Sequence, residues 1–172
     1  MITKIGFGGG CHWCTESVFL ALKGVQKVEQ GWIASFNEND TFSEAVIVHF
    51  NNNQIDLNLL VEIHLKTHSS TSSHSMRGKY RSAVYTFEDT QIPEVQDIIN
   101  NLQNKFDNQL ITKIHPFRAF KPSPEQFINY YIKNPKKPFC EKYITPKLQS
   151  IENQFSGSIK DEYHITFKNK EH

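Results

Sequence analysis

Gly6-Phe7-Gly8-Gly9-Gly10-Cys11-His12-Trp13-Cys14-Thr15-Glu16 decides how this chain is read. Residues 2–7 alternate as a strand does, and residues 16–23 carry Val18, Phe19 and Leu22 at helical spacing before Gly24. Cys11 therefore falls where a strand hands over to a helix. The first N–H groups of a helix have no intrahelical partner, and its dipole adds partial positive charge there, so a thiolate at Cys11 is favoured over a thiol. The glycines allow backbone and ligand to approach closely.

A C-x-x-C pair has other uses. Structural zinc needs two more thiolate or imidazole ligands, and the remaining cysteine, Cys140, stands alone in sequence. A thioredoxin-like redox pair also sits at a strand-to-helix junction, so dithiol exchange stays open. Neither G-x-G-x-x-G with a distal acid nor G-x-x-x-x-G-K-[ST] occurs, which argues against a phosphate loop.

Outward from this stretch, residues 25–35 and 44–50 read as strands, and residues 57–67 as an amphipathic helix through Leu59, Leu60, Ile63 and Leu65. Residues 68–75 form a loop rich in serine and histidine. Residues 80–87 read as a strand, 93–106 as a helix with Pro93 in its first turn, 110–117 as a strand and 124–132 as a short aromatic helix. Asn134-Pro135-Lys136-Lys137-Pro138 breaks regular structure. The order β-α-β-β-α-β-α-β predicts a single-domain α+β fold, a mixed and mostly antiparallel sheet with helices packed on it around a ferredoxin-like core. Residues 1–148 are expected to form the catalytic domain and 149–172 a polar C-terminal extension.

The 172 residues are enough for one self-sufficient core. With 19 basic and 18 acidic side chains the net charge is +1, which provides no strong field for nucleic acid or an anionic membrane. Three cysteines, no evident leader and no apolar span point to a reducing cytoplasm. His64 and His68 have the i, i+4 spacing of metal ligands, with His74 nearby. Without an accompanying acid motif they read as ordinary histidines, and no metal is expected.

The glycine run with Cys11, Trp13, Cys14 and Glu16, then Ser43-Glu44-Ala45-Val46, Tyr80-Arg81-Ser82, and Tyr130-Tyr131 with Lys133-Asn134-Pro135, resembles the peptide methionine sulfoxide reductase A family over about residues 3–145. The resemblance implies thiol-dependent reduction of methionine S-sulfoxide, free or in proteins, with no dissociable cofactor. It makes Cys11 the nucleophile and Glu44 the acid, kept protonated by burial beside aromatic rings. Tyr80 would hydrogen-bond the sulfoxide oxygen, and Trp13 would wall the methyl pocket.

Three positions depart from the family pattern. His12 replaces the usual phenylalanine, Trp32 replaces a second substrate-facing tyrosine, and Ser75 stands where the family has an aspartate. Phe127-Ile128-Asn129 likewise replaces Tyr-His-Gln. Losing one hydrogen-bond donor to a developing oxyanion costs roughly 3 kcal/mol, so a weakened relative that binds methionine or sulfoxide peptides is an alternative to the enzyme, as is a general dithiol oxidoreductase. After attack, the sulfenic acid on Cys11 needs a second thiol. Cys14 and Cys140 are the candidates, the family's resolving position favouring Cys140. The resemblance implies a thioredoxin-like reductant, and the protein is expected to be a monomer.

Overall fold

A computed structural model describes residues 2–73 and 75–163, with the side chains of residues 75 and 76 outside the description. Six strands, β1 (Ile2–Gly8), β2 (Val25–Ala34), β3 (Ser43–Asn51), β4 (Ala83–Thr86), β5 (Lys113–Pro116) and β6 (Ala119–Pro122), form one sheet in the order β5-β4-β1-β3-β2-β6. Every pairing is antiparallel except β4 with β5. That parallel pair needs a crossover, and α3 (Gln91–Leu102) supplies it. The predicted α+β class and mixed sheet are observed.

Strand periodicity sorts the side chains. Phe7 pairs with Val46, and Val48 with Val28, so Ile5, Phe7, Val46, Val48 and Phe50 share one face. On that face they are buried in the main core with Val18, Phe19 and Leu22 of α1 (His12–Leu20) and Leu60 and Ile63 of α2 (Leu57–Thr67). The Asp56 side chain caps α2 by accepting the Leu59 N–H at 2.8 Å. The opposite face holds a smaller cluster of Ile33, Ala45, Ile47, Ala83 and Tyr85.

Several segments differ from the sequence reading, among them the strand expected over residues 80–87, which is only Ala83–Thr86. The strand expected over residues 110–117 is only Lys113–Pro116, and an unpredicted β6 follows, pairing with β2 at the sheet edge. The helix expected over 124–132 splits into a 3-10 turn, Glu125–Phe127, and α4 (Tyr130–Lys133), because Asn129 takes a left-handed φ of 58° between them. Past the proline-rich break, a π-helical turn, Cys140–Ile144, leads into α5 (Thr145–Gln154), which runs through the boundary drawn at residue 148. Leu148, Ile151, Ile159 and Tyr163 are buried in the main core, and Ile159 bridges to Leu22. Among the described residues no helix is long and apolar enough to cross a membrane.

Candidate active site

β1 ends at Gly8, and Gly9, with φ of 148°, turns the chain into α1. A Cβ on Gly9 would lie 2.4 Å from the His68 ring, so glycine is required here both for φ and for space. Cys11 is the N-cap of α1, with extended backbone and no side-chain cap. Its sulfur accepts the Cys14 side chain's S–H first of all, then the backbone N–H groups of Trp13 and Cys14. These outweigh burial and the Glu44 charge, and lower the thiol from its ordinary 9.0 to about 7. Cys14 is pushed far up in return, first by giving that hydrogen bond and then by burial, against the opposing charge of Lys147. The pair thus separates into one thiolate and one proton-bearing thiol.

Glu44 reaches the same spot from β3. It pairs in register with Trp32 of β2, and its alternation with Ala45 turns it to the helix-covered face, where it is 7% exposed. Its Oε1 accepts the backbone N–H of His12 at 3.2 Å, a free donor of the first turn of α1. Lys79 Nζ lies 3.8 Å from Oε2. The His12 ring donates Nδ1–H to the Gly31 carbonyl at 2.6 Å, while Nε2 lies 3.5 Å from Glu44 Oε1. Burial, foremost, lowers the His12 pKa, so the ring is neutral and that approach is not an ion pair. The His12 ring stands edge-on to Trp32 at 5.0 Å.

These groups open on a cleft of about 430 Å³ lined by Cys11, His12, Trp13, Trp32, Glu44, Lys79, Tyr80 and Phe127, among others. Trp13 forms its apolar wall, stacked on Tyr130 at 4.4 Å and Phe127 at 5.1 Å, with the Phe139 edge at 5.3 Å. The fully buried Glu16 carboxylate braces this wall, accepting the N–H groups of Asn129 at 3.1 Å and Tyr130 at 3.3 Å. Gln30 adds a hydrogen bond from Nε2 to the Phe127 carbonyl at 2.9 Å. A second, more polar cleft of about 460 Å³ meets the first at Cys11 and Tyr80 and includes Lys66, Ser69, Lys147 and Ser150. An apolar slot with a thiolate at its floor and a carboxyl beside it suits attack on a polar atom carried by an apolar side chain.

Of the residues expected from the sequence, Cys11, His12, Trp13, Trp32, Glu44 and Tyr80 line this one cleft. Cys14 lies beneath Cys11, 5% exposed and hydrogen-bonded to it. Cys140 is fully buried in the π-helical turn, away from the cleft lining but within electrostatic reach of Cys14. Ser75 opens the 3-10 turn Ser75–Gly78, and its side chain lies outside the described residues, as does His74.

Buried His64 and half-buried His68 stack at 4.1 Å; His68 donates Nδ1–H to the His64 carbonyl and accepts from Ser82 at 2.8 Å. Among the described residues no three histidine, cysteine or acidic side chains gather to hold a metal. Sequence reasoning missed Lys79 and the Gly31 carbonyl, and it marked Phe127 and Tyr130 as motif positions without placing them against Trp13. Lys79 was signalled only by its position beside Tyr80-Arg81-Ser82.

The family described as peptide methionine sulfoxide reductase matches residues 3–159 of this chain. A curated relative from Acinetobacter baumannii, peptide methionine sulfoxide reductase MsrA, is 31% identical over 170 residues, covering 91% of this chain and 97% of its own. Among solved structures, reduced Mxr1 from Saccharomyces cerevisiae superposes with a TM-score of 0.72 at 23% identity, covering 83% of this chain and 91% of that one. Mxr1 in complex with Trx2 superposes with a TM-score of 0.61 at 23% identity, covering 73% and 84% of the two chains.

Proposed function

The chain belongs to the peptide methionine sulfoxide reductase family, and on that premise we propose how its own residues carry out thiol-dependent reduction of methionine S-sulfoxide, free or within proteins. The Cys11 thiolate attacks the sulfoxide sulfur while Glu44 gives a proton to the oxygen, with Tyr80 as a hydrogen-bond donor to the same oxygen. The S–O bond breaks, methionine leaves as the thioether, and Cys11, oxidised by two electrons, carries the hydroxyl as a sulfenic acid. The substrate methyl lies against Trp13, with Trp32 and His12 completing the slot.

The single observation that carries this reading is the meeting of a thiol lowered to about 7 with a buried carboxyl in one aromatic cleft. Cys14 is the first resolving thiol in this account: its S–H already bonds Cys11, so condensation to a Cys11–Cys14 disulfide with loss of water requires little movement. Cys140, beyond Cys14, would take over the disulfide only after its turn opens, and a thioredoxin-like dithiol protein then restores the thiols. The protein is proposed to act as a monomer in a reducing cytoplasm. No cofactor enters the scheme.

A dithiol oxidoreductase would use the same Cys11–Cys14 pair but would have no need of Glu44. Glu44→Gln therefore separates the two. Sulfoxide reduction is expected to fall roughly 10²–10³-fold with thiol–disulfide exchange retained; equal loss of both, or loss of neither, contradicts the acid role.

A further inference from the structure

His12 stands where the resemblance leads one to expect phenylalanine, and more than an apolar wall occupies the position. A carbonyl oxygen can only accept, so the 2.6 Å contact with Gly31 places a proton on Nδ1. In the neutral ring, Nε2 is then a lone pair, and it faces Glu44 Oε1 at 3.5 Å. This is too long for a formed hydrogen bond, but such contacts in an unliganded site tighten when substrate closes it. His12 and Glu44 both line the cleft, 5% and 7% exposed, so a substrate that fills it leaves the imidazole beside the carboxyl with little water around the two.

We propose that His12 is a proton-relay residue for Glu44, steadying the carboxyl proton before the reaction and returning one to it afterwards. The inference rests on the role given to Glu44 above. Each sulfoxide reduced takes one proton from Glu44 to the leaving oxygen and leaves a carboxylate in a site nearly closed to water. Nε2 takes up a proton from the cleft, and the imidazolium, still bonded to Gly31 through Nδ1, passes it to Oε1 and becomes neutral again. The balance is one proton in from solvent and one out on the oxygen. The other groups facing the ring are the uncharged Trp32 edge and, more distantly, Lys79, whose charge opposes protonation of the imidazole.

A double-mutant cycle tests this, read as single-turnover rate and as sulfoxide affinity. His12→Phe keeps an apolar wall, and His12→Asn keeps a donor for Gly31, but neither has Nε2. With Glu44 present, both are expected to slow turnover about tenfold with affinity unchanged; in the Glu44→Gln background both should be nearly silent, because residues acting as one unit are non-additive. A merely structural histidine would give the same loss in both backgrounds, and that result overturns the proposal, as does full activity of His12→Asn. Absence of product from the unsubstituted protein would instead defeat the functional reading itself.

Discussion

At the level of single residues the chemistry depends on one asymmetry. Cys11 and Cys14 are three apart in sequence, yet the hydrogen bond between their side chains, with the N–H groups of the helix start, favours a thiolate on the first, while that bond and then burial keep the proton on the second. Because Cys11 titrates near 7 and only its thiolate attacks, its alkylation rate should rise by roughly tenfold from about pH 6 to about pH 8. Cys14→Ala removes the largest of the influences lowering that thiol, so the profile should move to higher pH. A sulfenic acid on Cys11 should also persist after one turnover, long enough to be trapped by a dicarbonyl reagent. An unmoved profile contradicts the electrostatic account, and rapid disulfide formation without Cys14 makes Cys140 the first resolving thiol. The placement of Cys11 was legible because glycines, cysteine and helical spacing are local signals. The roles of Lys79 and the Gly31 carbonyl were not, because they arise from strand register and from a loop 35 residues beyond Glu44.

Among the elements, β6 decides how closed the cleft is. A Cβ on Gly31 would lie 2.1 Å from the Lys121 carbonyl, so only glycine lets β6 pair with β2 here. Ser123, Pro124 and Phe127 of the cleft follow directly from β6. Gly31→Ala should displace that edge and cost about 1–3 kcal/mol, with chemical denaturation reading the stability. Trp13 fluorescence should change as Phe127 shifts; unchanged stability and emission would mean that β6 does not brace the site. The sequence concealed this strand because Ala119-Phe120-Lys121-Pro122 is short and proline-ended, as edge strands are. It likewise concealed the break at Asn129, where the backbone turns left-handed and the Glu16 carboxyl accepts the N–H groups of both Asn129 and Tyr130. The long amphipathic helices α2 and α3 were readable, since their apolar spacing extends over several turns.

Over the whole molecule, one sheet carries helices on its main face and delivers Cys11 from β1, Trp32 from β2 and Glu44 from β3 to a single cleft. The stacked pair of buried His64 and half-buried His68 ties α2 to this assembly. Burial, first of all, holds His68 down at about 4 and His64 well below its usual value. A histidine depressed in the folded state binds protons more tightly when unfolded, so stability should fall as pH drops from about 6.5 toward 4, by on the order of 3 kcal/mol for His68. A urea midpoint unchanged between about pH 7 and about pH 5 would contradict that. The central claim, a Cys11-based reductase with an internal resolving thiol, is tested most directly by one turnover of the reduced protein without external reductant, on each epimer of a peptide methionine sulfoxide. The account predicts about one methionine per protein from the S epimer only, with two thiols consumed. No product from the S epimer, or product with no thiol lost, would contradict it.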